Sequence, residues 1–499
     1  MDSKVRSVAE LMQESGVGFG TSGARGLVSA MTDRVCYAYT LAFLQHLKTI
    51  GMLSGNCRVA IAGDYRPSTP AIMKAVGKAV EDFGCQLIHC GSLPSPAIAL
   101  FGIAQSIPTI MVTGSHIPDD RNGIKFNRPD GEILKQDEAG IRLQQVSFPQ
   151  GLFDEAGSLV LDYSLPEIDD QARLDYVARY LEFFDADTLR GLTIGLYQHS
   201  GVARELLIEI LQALGAEVSC LGYSDTFVPV DTEAIRPEDV ELAAAWASEN
   251  SLDAIVSTDG DADRPLVSDE QGRWLRGDIA GLLCADYLDA QWVVTPVSSN
   301  SAVEYSGKFR GVVRTRIGSP YVIADMQALI ESGKSRVVGY EANGGFLIAD
   351  DLLRDSRILA ALPTRDAVIV ILAILHLSKL RNKKVSELLL DLPGRYTHSD
   401  RLKAFPTELS QRMLEKFQSG DFSRDSQAIE EAFNHRFGPV ERIDTTDGVR
   451  ITFSGGDIVH LRPSGNAPEL RCYTESDSEQ KVREMNRECL NILEEWRVH

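Results

Sequence analysis

The chain repeats one hydrophobic rhythm three times, and strand–helix alternation of this kind leaves few folds open. CRVAIAGDY from Cys57 is an apolar run of strand length, and STPAIMKAVGKAVEDFG from Ser68 has helical spacing. CQLIHCGS then reads as a strand, SPAIALFGIAQS as a helix and IPTIMVTGS as a third strand ending at Ser115. The second instance runs LTIGLYQHSG, VARELLIEILQALG, AEVSCLGY, a helix near DVELAAAWASEN, and LDAIVSTDG ending at Gly260. The third has strands at QWVVTPVSS and GVVRTRIGS, a helix at YVIADMQALIESG, and a strand and loop at SRVVGYEANGG. The three share negligible sequence identity, so the repeat is one of architecture. It predicts α/β domains with mixed, mainly parallel sheets covered by helices, which bind ligands beyond the carboxyl ends of their strands. In each instance a polar cluster follows the last strand.

After Lys383 the rhythm changes to hairpin-like pairs, ERIDTTDGVRITFSGGDIVHLRPSG and PELRCYTE, closed by a helix from about Ser478. This predicts a smaller C-terminal α+β domain. At 499 residues the chain exceeds one core, and the expected division is 1–155, 156–273, 274–385 and 386–499. The formal net charge of −21 repels nucleic acid and anionic membranes, so neither is an expected partner. A phosphate-ester substrate would then need a local cluster of Arg and Lys to reverse the sign inside a cleft. Eight cysteines without a CxxC pair predict reduced, buried thiols, not a disulfide scaffold or zinc site. The mixed-charge start, MDSKVRSVAELMQESG, does not read as a signal peptide, and the greasy run from Ala367 to Leu375 is too short to span a bilayer. That run predicts a core helix, and the whole a cytoplasmic protein.

DGDADRP, Asp259 to Pro265, sets carboxylates at i, i+2 and i+4 directly after an apolar strand. Three like charges so close need a cation among them or steeply raised pKa values. Oxygen donors without His or Cys favour Mg²⁺, and an Asp-rich surface turn is the alternative. An EF-hand fails: Glu270 stands at the twelfth position, but Arg264 occupies the sixth, where Gly is required. In TGSHIPDDRNGIKF, Thr113 to Phe126, Ser115 ends a buried strand and can serve as a nucleophile or carry a phosphoryl group; Ser and Thr also simply cap turns. A hydrolase triad is disfavoured, because His116 cannot easily aim at its neighbour's hydroxyl and no GxSxG elbow surrounds Ser115. RPSGNAPELR, with Arg462, Ser464, Gly465, Asn466 and Arg471, and GTSGARG, with Arg25, have the make-up of anion-receiving loops or of solvated turns. YEANGG offers Glu341 and Asn343, a pair suited to neighbouring sugar hydroxyls.

Together these clusters resemble the α-D-phosphohexomutase family of phosphomannomutases, phosphoglucomutases and amino-sugar mutases. TSGARG is similar to its TSGxRG, TGSHIPDDRNGIK to its phosphoserine loop, DGDADR to its metal loop DGDGDR, and RPSGNAPELR to its phosphate loop, all in order. The resemblance implies a four-domain, heart-shaped molecule, monomeric or homodimeric, acting on a small phosphosugar. Ser115 would carry the phosphoryl group, and Asp259, Asp261 and Asp263 would hold Mg²⁺ with an oxygen of that phosphoserine. Arg25, Lys125 and His116 would flank the transferring group. Arg264, Gly318, Glu341 and Asn343 would contact substrate, and Arg462, Ser464, Gly465, Asn466 and Arg471 would bind the phosphate that is not reacting. The implied reaction interconverts hexose 1-phosphate and hexose 6-phosphate through a hexose 1,6-bisphosphate, mannose first and glucose second. An amino-sugar mutase, a metal-dependent phosphatase and an idle sugar-phosphate-binding protein are the alternatives. Ile117 replaces an Asn of the family pattern, Asn466-Ala467 a Thr-Glu pair, and Gly345 a histidine proposed in acid–base catalysis, which leaves that work to Lys125.

Overall fold

The computed structural model describes residues 5–20, 23–464 and 468–498. They form two compact units, Met1–Ala290 with Gly318–Leu388, and Gln291–Ile317 with Leu389–His499.

In the first unit, the first sheet runs in the order Gly18–Phe19, Ala24–Leu27, Arg121–Arg128, Thr109–Val112, Arg58–Gly63, Gln86–Ser92. Arg58–Gly63 pairs in parallel with both Thr109–Val112 and Gln86–Ser92. Helices Thr69–Asp82 and Ser95–Gln105 make the crossovers, each with proline in its first turn, where the missing N–H costs nothing. In the second sheet Thr193–His199 lies between Glu217–Tyr223 and Ala254–Thr258, again in parallel. The expected α/β repeats are therefore present.

The feature that periodicity did not foretell is how each parallel core ends. Thr109–Val112 turns back into Arg121–Arg128, Ala254–Thr258 into Pro265–Val267, and Val337–Tyr340 into Phe346–Ile348, all antiparallel. The Ser115 loop, the aspartate loop and the loop carrying Glu341 and Asn343 are the tips of these three returns. A loop tied at both ends to the same sheet has little freedom, which suits groups that must be held in place.

The run from Ala367 becomes the helix Ala367–Arg381, whose residues from Ala367 to Leu375 are fully buried. Asp366 caps it, accepting from Val368 N at 3.1 Å and from the hydroxyls of Tyr176 and Tyr180. No helix among the described residues is long and apolar enough to cross a membrane.

The cysteine expectation needs correction. Cys57 and Cys85 form a disulfide, Cys220 is exposed, and the other five are buried thiols. Parallel pairing sets Arg58 opposite Gln86, so the residues just before them, 28 apart in sequence, stand side by side.

In the second unit, Trp292–Pro296 pairs in parallel with Gly311–Thr315. The tail is a five-stranded antiparallel sheet, ordered Tyr396–Leu402, Leu470–Ser476, Ile458–Pro463, Val449–Phe453, Val440–Asp444. Helix Glu479–Val498 covers it over a core containing Phe405, Phe433, Leu461 and Trp496.

Candidate active site

Ser115 sits at the tip of the first return, 1% exposed, with a left-handed φ of 56°. Its N–H donates to Thr113 Oγ1 at 2.8 Å, and that hydroxyl donates to Asp64 Oδ2 at 2.7 Å. Beneath the loop lies Arg66, whose guanidinium donates to several loop carbonyls. The approach is close enough that a Cβ on Gly114 would stand 2.6 Å from the guanidinium carbon.

The second return brings Asp259, Asp261 and Asp263 together, each with an oxygen within 4.8 Å of the others. Asp259 Oδ1 takes the N–H groups of Asp263 and Arg264, at 3.1 and 3.2 Å, so the loop wraps its own first carboxylate. Ser115 Oγ donates to Asp259 Oδ2 at 2.6 Å, which joins nucleophile and acidic trio. Lys125, on the returning strand of the first sheet, donates to Asp261 Oδ2 at 2.5 Å and Asp263 Oδ2 at 2.6 Å. Arg365 stands 2.8 Å from Asp263 Oδ2 and 3.2 Å from Glu341 Oε2, and Arg264 lies 3.6 Å from Asp263 Oδ1.

The electrostatics follow from this crowding. Burial, then Asp261 and Asp263, hold the Asp259 carboxyl well above the usual carboxylate range. Burial acts the same way on Asp263, but Arg365, Lys125 and Arg264 outweigh it and hold that carboxyl well below the range. Two buried oxygens, Asp261 Oδ1 and Asp263 Oδ1, have no hydrogen-bond partner among the described residues. Buried carboxylate oxygens left over in an all-oxygen cluster fit a hard divalent cation. Glu270 takes no part in the trio; it accepts from Ser386 Oγ at 2.6 Å.

The other anticipated residues are distributed as follows. Arg25 is half-buried; loss of water around its guanidinium, then Arg264, push its pKa down to about 10, so it stays cationic at neutral pH. His116 corrects an expectation: its Nδ1 is 3.3 Å from Ser115 Oγ, because the left-handed turn swings the neighbouring ring towards the hydroxyl. Burial, then Arg264, push that imidazole down to about 3. Glu341 and Asn343 are buried in the third return, and Asn343 Oδ1 accepts from Gly345 N at 3.0 Å. Gly318, with φ 133°, precedes helix Ser319–Glu331.

In the second unit Arg462 pairs with Asp447 at 2.9 Å, Ser464 N donates to Glu469 O at 2.8 Å, and Arg471 stands opposite both Arg462 and Arg401. That register sets three arginines in a row across neighbouring strands. Gly465 and Asn466 lie outside the described residues, as do Thr21 and Ser22 of the N-terminal motif.

Sequence reasoning missed Arg66, Ser95, Glu132 and Arg365. Ser95 donates to Asp261 Oδ2 at 2.5 Å, and Glu132 accepts from Ser319 and Thr364. None stands in a motif; each reaches the site by long-range pairing. The one available signal was a charged residue beside an apolar strand, as in LPTRD before the greasy helix.

Models of the phosphoglucomutase/phosphomannomutase family match alpha/beta/alpha domain I at residues 16–144, domain II at 174–272, domain III at 276–396 and the C-terminal domain at 413–492. A phosphomannomutase of Salmonella muenchen is 44% identical over 471 residues, 94% of this chain and 94% of that protein. A phosphomannomutase of Sinorhizobium fredii is 41% identical over 476 residues, 95% of this chain and 98% of that protein. The crystal structure of a phosphoglucomutase/phosphomannomutase family protein from Burkholderia thailandensis matches with a TM-score of 0.72 at 20% identity, over 95% of this chain and 97% of that one, a likeness of fold. With its four domains matched in order and close relatives along nearly its whole length, the chain belongs to the α-D-phosphohexomutase family and is a mutase of the phosphoglucomutase/phosphomannomutase type.

Proposed function

We propose that the protein interconverts hexose 1-phosphate and hexose 6-phosphate through a phosphorylated Ser115 and a hexose 1,6-bisphosphate intermediate, with mannose preferred and glucose second. The observation that carries this is the Ser115 hydroxyl, 2.6 Å from Asp259 within a buried acidic trio that cations surround. Mannose is put first because the relatives at 44% and 41% identity are phosphomannomutases.

Asp259, Asp261 and Asp263, with an oxygen on Ser115, would hold Mg²⁺, whose preference for hard oxygen donors the trio meets. When bound, the ion supplies charge neutralisation at the phosphoryl oxygens. The remaining work belongs to the side chains. Phosphoryl transfer needs alignment and charge stabilisation more than covalent help. The bond from phosphorus to Ser115 Oγ breaks as one to the sugar hydroxyl forms, and the bisphosphosugar turns over before Ser115 takes back the other phosphoryl group. Arg25 and Lys125 flank the moving group and Arg264 contacts substrate beside the trio. Lys125 is the side chain near it that can give a proton, and His116, held neutral by burial, is one that can accept it. Glu341 and Asn343 take sugar hydroxyls, with Gly318 beside the substrate. The non-reacting phosphate is assigned to Arg462, Ser464, Gly465, Asn466 and Arg471 by family resemblance.

The net charge of −21, which repels nucleic acid and anionic membranes, supports an enzyme with neither as a partner, and with that reading goes a cytoplasmic location and the monomeric or homodimeric state that the family resemblance implies. The test is incubation with mannose 1-phosphate, Mg²⁺ and a trace of hexose 1,6-bisphosphate, with the glucose ester in parallel. Accumulating 6-phosphate without free phosphate is the expected result. Stoichiometric release of inorganic phosphate would make the protein a phosphatase instead.

A further inference from the structure

We propose that Arg66 is a positioning residue for phosphoryl transfer, locking the turn that carries Ser115 and seating it against the aspartate loop; the inference rests on the mutase reading above. Arg66 is 1% exposed and lies in no motif of the sequence. Its Nη2 donates to the carbonyls of Ser115 at 2.8 Å and Ile117 at 2.5 Å, and its Nη1 to those of Pro118 at 2.8 Å and Arg121 at 3.1 Å. Nε donates to Asp64 Oδ2 at 3.1 Å, the oxygen that also accepts from Thr113. The guanidinium stacks over Phe227, 4.0 Å from the ring centroid.

Phe227 belongs to the chain segment around the second sheet and touches the aspartate loop. A Cβ on Gly260 would meet its ring at 3.3 Å and the Ser115 carbonyl at 2.7 Å. One planar cation therefore gathers four carbonyls of the first return and presses against the aromatic ring that borders the second.

Two physical needs meet here. A serine in the left-handed region is strained by roughly 1–3 kcal/mol and persists only where its surroundings over-determine it. The converging carbonyls also present their negative ends to one another and need a buried donor with several N–H groups. Arginine's flat fork satisfies five acceptors, the four carbonyls and Asp64, and still offers a face to stack; an ammonium group cannot do both. The outcome is control over where Ser115 Oγ points. A misplacement of about 1 Å at a reacting atom costs on the order of 100-fold in rate.

The experiment measures kcat and KM with mannose 1-phosphate for Arg66→Lys, Phe227→Leu and Arg66→Ala, with Ser115→Ala as control. Thermal unfolding identifies the folded variants. Arg66→Lys should lower kcat by about 100-fold and leave KM within about threefold, the signature of lost alignment rather than lost binding. Phe227→Leu should lower kcat by about tenfold with the same split. Guanidinium ion at non-denaturing concentration should restore Arg66→Ala by at least about tenfold and leave Phe227→Leu unchanged. If Arg66→Ala does not fold, the other two variants decide. Arg66→Lys and Phe227→Leu both within about twofold of the parent kcat, or changed only in KM, overturn the positioning role. Ser115→Ala inactive beside such unaffected variants leaves the mutase reading standing. Ser115→Ala at the parent rate removes the mutase reading and this role together.

Discussion

Arg365 illustrates how single residues set the charge state of the site. Its guanidinium is buried between Asp263, at 2.8 Å, and Glu341, at 3.2 Å. Burial alone would lower its pKa, but Asp263, Glu132 and Glu341 outweigh that and hold it well above the ordinary value. Removing one partner of a buried ion pair strands the other charge, which costs about 3–5 kcal/mol. Arg365→Met should therefore lower the unfolding free energy of the first unit, read from urea denaturation, by that order and cut kcat at neutral pH. Unchanged stability would show that Lys125 and Arg264 suffice for Asp263. The motif residues at this scale were legible because they cluster within short stretches of chain, and the structure brings Ser115, Lys125 and the three aspartates together. Arg365 and Arg66 were not, because only strand pairing over long separations brings a lone arginine beside a particular carboxylate or carbonyl.

At the scale of elements, the three antiparallel returns matter most, and two of them touch. Gly260 faces the Ser115 carbonyl so closely that a Cβ would stand 2.7 Å from it, and backbone atoms yield little. Gly260→Ala should push the serine and aspartate loops apart and lower kcat by about 100-fold while the fold survives; steady-state kinetics and circular dichroism together check it. Helix Ala367–Arg381 carries the opposite kind of load. Ile371 is fully buried, and Ile371→Ala removes methylenes and leaves a cavity, a loss of about 2–5 kcal/mol measurable by denaturant unfolding. The strands and helices were readable from periodicity because burial on one or both faces writes itself into local spacing. The direction of Arg121–Arg128 was not, because RNGIKFNR holds Lys125, a charge in mid-strand that the site, rather than solvent, satisfies.

At the scale of the whole molecule, the net charge of −21 coexists with an anion-directed site because Arg25, Lys125, Arg264 and Arg365 are drawn inward around the trio. The same burial makes stability depend on pH. His199, in the first unit, bonds through Nε2 to Thr258 O at 2.9 Å, and burial pushes its pKa down to about 4. His460, in the second unit, is likewise pushed down to about 4, first by burial. An imidazole whose folded pKa lies below its unfolded value binds fewer protons when folded. Its contribution is full above about pH 6.5 and fades as pH falls towards about 4. His199 and His460 should each cost their unit about 2 kcal/mol between pH 7 and pH 5, and in the first unit His116 and His376, also pushed down by burial, add to that loss. His199→Gln should lessen the pH dependence of the first unit's unfolding midpoint, leaving the share of His116 and His376, and leave the second unit's slope in place. An unaltered slope would assign the effect to other groups.

The amino-acid sequence by itself determined the α/β repeats, the antiparallel tail, the core helix from Ala367 and the family, because burial periodicity and loop motifs are local properties of a chain. Tertiary structure alone decided the antiparallel returns, the pairing of Cys57 with Cys85, the approach of His116 to Ser115, and the recruitment of Arg66, Ser95, Glu132 and Arg365. A buried charge is stable only opposite its partner, and which partner it meets depends on strand order and register, quantities set by contacts between segments far apart along the chain.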